Sequence, residues 1–208
     1  MIIKVCGMRE AGNIRAVEAL GIDLMGFIFW PHSGRYVGEK PAYLPENCRR
    51  AGVFVDAPEQ DILDAVKDFR LDVIQLHGQE TSEAIAALKE RALSLNPALC
   101  IVKSLAVKET GDLAQTAAYE DVCDAFLFDT KGKLPGGNGQ QFDWNVLREY
   151  HGRLPFLLSG GIGPDDGARI RAFDVPGCIG IDLNSRFETA PGLKDVEALR
   201  TFIETVRP

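Results

Sequence analysis

This 208-residue chain has no block of lysine or arginine, no CxxC pair, no clustered histidines and no apolar run of membrane-spanning length. Each absence removes a class of function. With a net charge of −7 and no compensating basic stretch, a nucleic-acid surface is excluded. Five cysteines at 6, 48, 100, 123 and 178 and only three histidines fall at no metal-ligand spacing. Odd and dispersed, the cysteines read as reduced thiols of a cytoplasmic protein, not as a disulfide framework. The opening MIIKVCGMRE carries too short an apolar run for a signal peptide, and no other stretch suits a bilayer, so no membrane partner is expected. A GxGxxG fingerprint does not follow the first apolar run, where the chain reads CGMREAG. That counts against a dinucleotide fold.

What is present is a regular alternation. Apolar, β-branched or aromatic runs of strand length fall at Ile2–Cys6, Leu24–Phe29, Ala51–Val55, Val73–Leu76, Cys100–Leu105, Ala125–Phe128, Phe156–Leu158 and Cys178–Leu183. Most are almost continuously hydrophobic, as strands buried on both faces of a parallel sheet must be. Between them lie stretches of helical period, among them Asn13–Leu20, Gln60–Phe69, Ser82–Leu88 and Lys194–Val206. The interval 30–47 is irregular, with three prolines and a PHSGRY turn, and is expected to hold a short helix. Eight such units without a linker predict an α/β fold: a single (β/α)8 barrel over residues 1–208, with a doubly wound open sheet as the alternative.

In a barrel the chemistry sits at the carboxyl ends of the strands. Cys6 ends the first run with Lys4 on the same face, and a nearby cation favours the thiolate that a base needs. An inert buried cysteine is the plainer alternative. Asp129 ends the sixth run, AFLF, and a carboxylate there must be paired, solvated or functional. Gln75 and His77 share a face in QLHG. Arg35, in SGRYV, suits a bidentate carboxylate clamp or simple exposure to solvent. Gly160 and Gly161 after the seventh run, and Asn184 and Ser185 after the eighth, offer backbone amides for a phosphate. Three glycines at 136, 137 and 139 read as a mobile loop that closes over substrate.

In order along the chain, KVCGMR, GFIFWPHSGRYV, AGVFVD, VIQLHG, the FD…PGGNGQQFDW block, LSGGI and GIDLNSRFETAPGLKD resemble the phosphoribosylanthranilate isomerase family of tryptophan biosynthesis. The resemblance implies an Amadori rearrangement of a small phosphosugar, N-(5-phosphoribosyl)anthranilate, without metal or organic cofactor. It implies Asp129 as general acid, Cys6 as general base, Arg35 on the anthranilate carboxylate, and phosphate on Gly160, Gly161, Asn184 and Ser185. Gln75, His77 and Asp182 support the substrate. The chain departs from the family pattern twice: Gly34 stands where SPRY has proline, and Asn184 and Arg186 alter the strand-eight motif DVSSGVE. Two other readings are a histidine-pathway isomerase, which typically uses two aspartates, and a non-catalytic phosphosugar-binding barrel. Monomer and homodimer both remain compatible with the sequence.

Overall fold

A computed structural model describes residues 1–131 and 141–207. Eight parallel strands close on themselves in chain order. They are β1 (Ile2–Val5), β2 (Leu24–Ile28), β3 (Arg49–Phe54), β4 (Val73–Leu76), β5 (Cys100–Val107), β6 (Ala125–Thr130), β7 (Phe156–Leu158) and β8 (Cys178–Leu183). The expected barrel is therefore present, and each apolar run became a strand with ends moved by two residues at most. The last strand closes against the first with Lys4 level with Asp182. The glycines at 136, 137 and 139, read from the sequence as a loop that closes over substrate, lie outside the described residues.

The connections are less regular than the strands. Helices α1 (Ala11–Glu18), α2 (Glu59–Phe69), α3 (Ser82–Leu95), α4 (Gly167–Arg171) and α5 (Val196–Val206) pack outside the barrel. Thr81 and Asp195 cap α3 and α5 by accepting from the backbone N–H groups of Ala84 and Ala198. Helix α5 presents Leu199, Phe202, Ile203 and Val206 to the wall, spaced three and four residues apart on one face. After β5 and β6 the chain forms 3₁₀ turns instead, at Thr110–Ala118 and Trp144–Glu149. The short helix expected within residues 30–47 does not form; that interval is turns and bends. Pro31, Pro41 and Pro45 each lack an N–H and restrict the residue before them, which leaves no uninterrupted helical turn of useful length. A small hairpin after β8, made of β9 (Glu188–Ala190) and β10 (Leu193–Lys194), was not expected.

Register sorts the side chains into inside and outside. Leu24, Ala51, Val73, Val102, Leu127 and Leu157 fill one interior layer. Burying each of the larger ones contributes about 1.5–3 kcal/mol. Nearer the carboxyl ends, the inward positions become polar: Lys4, Gln75, Ser104, Ser159 and Asp182 are all buried. Lys103 is buried too, but it pairs in register with Leu76 of the outer core and so faces away from the interior. Its Nζ donates to Gly78 O (2.7 Å) and Glu80 Oε2 (2.9 Å), pinning the turn that follows β4.

Candidate active site

Cys6 follows β1 and sits over the interior, packed with Ile28 and Val53 and covered by Trp30. Two glycines make the place for it. A Cβ on Gly26 of β2 would lie 2.7 Å from the Cys6 Sγ, so only hydrogen fits there. Gly7, at a φ of +79°, turns the chain sharply out of the barrel wall. Lys4 lies on the same inward face, as its spacing from Cys6 requires. The expected balance at the thiol is reversed, however. Burial pushes the Cys6 pKa up, and the opposing ammonium groups of Lys4 and Lys194 do not overcome it. At rest Cys6 is a thiol.

Asp129 ends the inward face of β6 and is 7% exposed. Its Oδ1 accepts from the Thr130 N–H at 2.8 Å, and its Oδ2 lies 3.6 Å from His77 Nε2. Burial raises the carboxyl pKa to about 6, with the negative charge of Asp182 adding to the rise. His77 gives little help, because burial and the positive charges of Lys103 and Lys4 lower its own pKa to about 4. It is a neutral imidazole at physiological pH. Asp129 is thus a carboxylic acid held near the range where a proton can be both carried and released. Gly160 presses against it: a Cβ there would stand 3.2 Å from Asp129 Oδ1.

Beneath the mouth, Lys4 Nζ donates to Asp182 Oδ1 at 2.8 Å, with the lysine 1% exposed. Burial works against the ammonium, but the charge of Asp182 and the hydrogen bond to it, with a further contribution from the Cys6 side chain, outweigh burial and the Lys4 pKa rises. This fixed ion pair stands between the thiol and the acid, and its charges act on both. Gln75 lies deeper than sequence reasoning placed it. It is buried and donates to Ser104 Oγ at 3.0 Å, so it supports the mouth from below, while His77 reaches the mouth itself.

Arg35 arches over Gly7, where a Cβ would meet its Cδ at 2.8 Å. This places it over the turn that follows β1, and its guanidinium already holds a carboxylate. Nε and Nη2 donate to Glu188 of β9 at 2.9 and 2.7 Å. Glu188 also accepts from Lys194 Nζ at 2.6 Å, and Lys194 donates in turn to Asn184 Oδ1 at 2.7 Å. The Lys194 side chain is fully buried. Burial lowers its pKa even against the pull of Glu188. For Glu188 the balance tips the other way: the bonds from Arg35 and Lys194 overcome burial and lower its pKa. Glu188, Lys194 and Gly26 were not identified from the sequence.

The turns after β7 and β8 lie beside this cluster. Gly160 and Gly161 have φ values of +88° and +72°, and Ser185 opens a 3₁₀ turn, Ser185–Phe187. The backbone N–H groups of Gly160, Gly161 and Ser185 donate to no other group among the described residues. Such donors, aimed from two adjacent turns, suit an anion. The Asp166 carboxylate instead caps its own turn, accepting from Gly163 N–H at 2.8 Å and Gln141 Nε2 at 2.6 Å. Asn184 and Ser185 therefore differ: Asn184 is engaged through its side chain by Lys194 and through its carbonyl by the Phe187 N–H at 3.1 Å, whereas Ser185 offers its N–H.

The family model of N-(5'-phosphoribosyl)anthranilate (PRA) isomerase matches residues 3–205. The chain belongs to this family. An N-(5'-phosphoribosyl)anthranilate isomerase of Phocaeicola vulgatus is 49% identical over 207 residues, covering 100% of this chain and 98% of that one. The phosphoribosylanthranilate isomerase structure from Thermotoga maritima superposes with a TM-score of 0.83 at 29% identity, covering 100% of this chain and 99% of that one. A further structure of a phosphoribosylanthranilate isomerase, in complex with reduced 1-(o-carboxyphenylamino)-1-deoxyribulose 5-phosphate, superposes with a TM-score of 0.79 at 28% identity over 100% of this chain and 99% of that one.

Against the family's strand-eight pattern, both departures now have a location. Asn184 supplies the acceptor for Lys194. Arg186 lays its guanidinium along Gly163, whose added Cβ would meet Nε at 3.2 Å. At Gly34 the turn is closed by Ser33, which accepts the Arg35 N–H on its Oγ and the Tyr36 N–H on its carbonyl, each at 3.1 Å.

Proposed function

We propose that this chain is an isomerase that converts N-(5-phosphoribosyl)anthranilate to 1-(2-carboxyphenylamino)-1-deoxyribulose 5-phosphate in tryptophan biosynthesis. The observation that carries the mechanism is the pairing of two buried groups at the same end of the barrel. Asp129 keeps a proton to about pH 6, and Cys6 stands above the Lys4 ammonium.

Asp129 donates its proton to the furanose ring oxygen as the bond from that oxygen to carbon 1 breaks. The lone pair of the anthranilate nitrogen moves in to make the protonated Schiff base. Cys6, as thiolate, removes the proton from carbon 2, and the electrons flow to nitrogen to give an enolamine, which tautomerises to the ketone. The reacting form therefore carries its proton on Asp129 and none on Cys6. Lys4 and Lys194 lower the cost of the thiolate in that form. Phosphate lies on the backbone of Gly160, Gly161, Asn184 and Ser185, and Arg35 meets the anthranilate carboxylate. Asp182 fixes Lys4, while His77 and Gln75 shape the wall on the Asp129 side. All side chains named come from a single chain, which fits either a monomer or a homodimer. The five unpaired thiols suit the cytoplasm.

The test is a fluorescence assay following consumption of phosphoribosylanthranilate. Replacing a general acid or base costs about 10²–10⁴-fold. Cys6→Ala and Asp129→Asn are each expected to lose turnover on that scale while keeping the circular dichroism of the folded barrel. Near-normal turnover in either folded variant removes that residue from its role. A histidine-pathway isomerase would instead act on the corresponding aminoaldose lacking the anthranilate ring, a substrate the same assay series includes.

A further inference from the structure

Arg35 belongs to an irregular interval and would, left alone, sample many rotamers. The structure instead anchors it. One edge of its guanidinium, Nε and Nη2, is taken up by Glu188, whose side chain is 5% exposed. Glu188 is itself immobilised, accepting from Lys194 Nζ at 2.6 Å and from the Gly192 N–H at 3.1 Å. Lys194 is fastened to α1 by a reciprocal pair: its N–H donates to Asn13 Oδ1 at 2.8 Å, and its carbonyl accepts from Asn13 Nδ2 at 2.9 Å. A chain of contacts thus runs from α1 through the β9–β10 hairpin to the guanidinium above Gly7.

We propose that Glu188 is a positioning residue for substrate recognition: it holds one edge of Arg35 so that the other, at Nη1, is presented above the Gly7 turn to an incoming aryl carboxylate. The inference rests on the reading of Arg35 as the carboxylate clamp. The physical advantage is that the side chain is ordered before binding, so substrate need not supply that ordering. The cluster of Arg35, Lys194 and Glu188 keeps a net positive charge in a chain that is strongly acidic overall, and so still attracts an anion. The opposite role, Glu188 as an internal competitor for the clamp, makes the opposite prediction.

The experiment compares wild type, Glu188→Gln, Glu188→Asp and Arg35→Ala. The probes are two product analogues reduced at the ketone: carboxyphenylamino-deoxyribulose 5-phosphate and its phenylamino counterpart without the carboxylate. In wild type the carboxylate-bearing analogue is expected to bind more tightly. Glu188→Gln should raise KM by up to about tenfold with kcat within about twofold, and should narrow the preference for the carboxylate by a similar factor. Binding of the phenylamino analogue should not change. Glu188→Asp, which keeps the charge, should recover part of the preference. A lower KM in Glu188→Gln overturns the proposal in favour of competition, and an unchanged preference overturns it outright. Arg35→Ala separates the two layers. If it leaves the preference intact, the reading of Arg35 itself fails; if it removes the preference while Glu188→Gln does not, only the role of Glu188 fails. Should Glu188→Gln not fold, the double variant Glu188→Gln/Lys194→Met, which removes both charges of the buried pair, is compared by binding of the two analogues alone, because Lys194 also acts on Cys6.

Discussion

Two buried lysines, Lys4 and Lys103, show how one chemical device serves two ends in this barrel. Each is almost fully excluded from solvent and bonded to a carboxylate, Asp182 at 2.8 Å and Glu80 at 2.9 Å. The difference lies in what else each ammonium faces. Lys103 points outward and holds a turn through the carbonyls of Gly78 and Leu76; its charge reaches the site only by lowering the pKa of His77. Lys4 points inward, and its other neighbour is a thiol that must lose a proton. A buried ion pair is weak evidence for stability in either case, because desolvation offsets most of its attraction. It becomes chemistry only where the group sharing the field is one that the proposed reaction deprotonates, as Cys6 is and His77 is not.

The strongest way to break the comparison is to remove each cation. Lys4→Met strands the buried carboxylate of Asp182 and should destabilise the fold by about 3–5 kcal/mol, whereas Lys103→Met should cost less, because Glu80 is only partly buried and keeps its bonds from Gly78 and Asp56. They should part company in turnover. Lys4→Met is expected to lose about 10²-fold in kcat, the thiolate having lost its nearest cation, whereas folded Lys103→Met should stay within a few-fold of wild type. Measured by denaturant melts and initial rates on the same samples, equal kcat losses in both would erase the distinction.

A second test moves the thiol and leaves the charges alone. Gly26→Ala places a methyl group where the Cys6 Sγ lies 2.7 Å away. Overpacking of this kind costs about 1–3 kcal/mol, and the displaced sulfur should lower kcat about tenfold or more. A variant with wild-type kcat would mean that Cys6 tolerates a shift, which a base acting at one carbon should not.

The smallest effect concerns the acid, and it is one of stability. The folded-state carboxyl of Asp129 titrates near 6, above its usual value, so between those two values the folded chain binds more protons than the unfolded one. The sign follows: stability contributed by this group is greatest in acid and is lost as pH rises through about 6. Asp129→Asn should therefore stabilise the protein at pH 7.5, by on the order of 2 kcal/mol, with the gain fading toward pH 4. Calorimetry at several pH values checks it; a destabilised variant at neutral pH would show that the ionised carboxylate is better solvated than its burial implies.

The barrel was legible in the sequence because strands buried on both faces must be apolar almost throughout. Nothing comparable marks the 3₁₀ turns after β5 and β6, which bury only Leu113 and Thr116 in one and Trp144 and Leu147 in the other. Cys6, Asp129 and the glycine pair could be found because residues at strand ends declare their position. Glu188 and Lys194 could not. Their strands are three and two residues long, and a lysine in TAPGLKD reads as solvated until α1 and the barrel close over it. Gly26 is silent for a different reason: its role is the volume it does not occupy. At Cys6 the neighbouring Lys4 was identified, but burial, which no local pattern reports, decided the sign of the pKa.

The partners Lys4 and Asp182 stand 178 positions apart in the chain, one on the first strand and one on the last. During synthesis the lysine emerges early and its counter-ion almost at the end. Any compact intermediate made of the first seven strands must either leave the ammonium hydrated, and so keep the barrel open, or bury it alone at prohibitive cost. The same bond that sets the field around Cys6 therefore penalises premature closure, and a chain truncated before β8 should remain a target for proteolysis instead of settling into a false barrel.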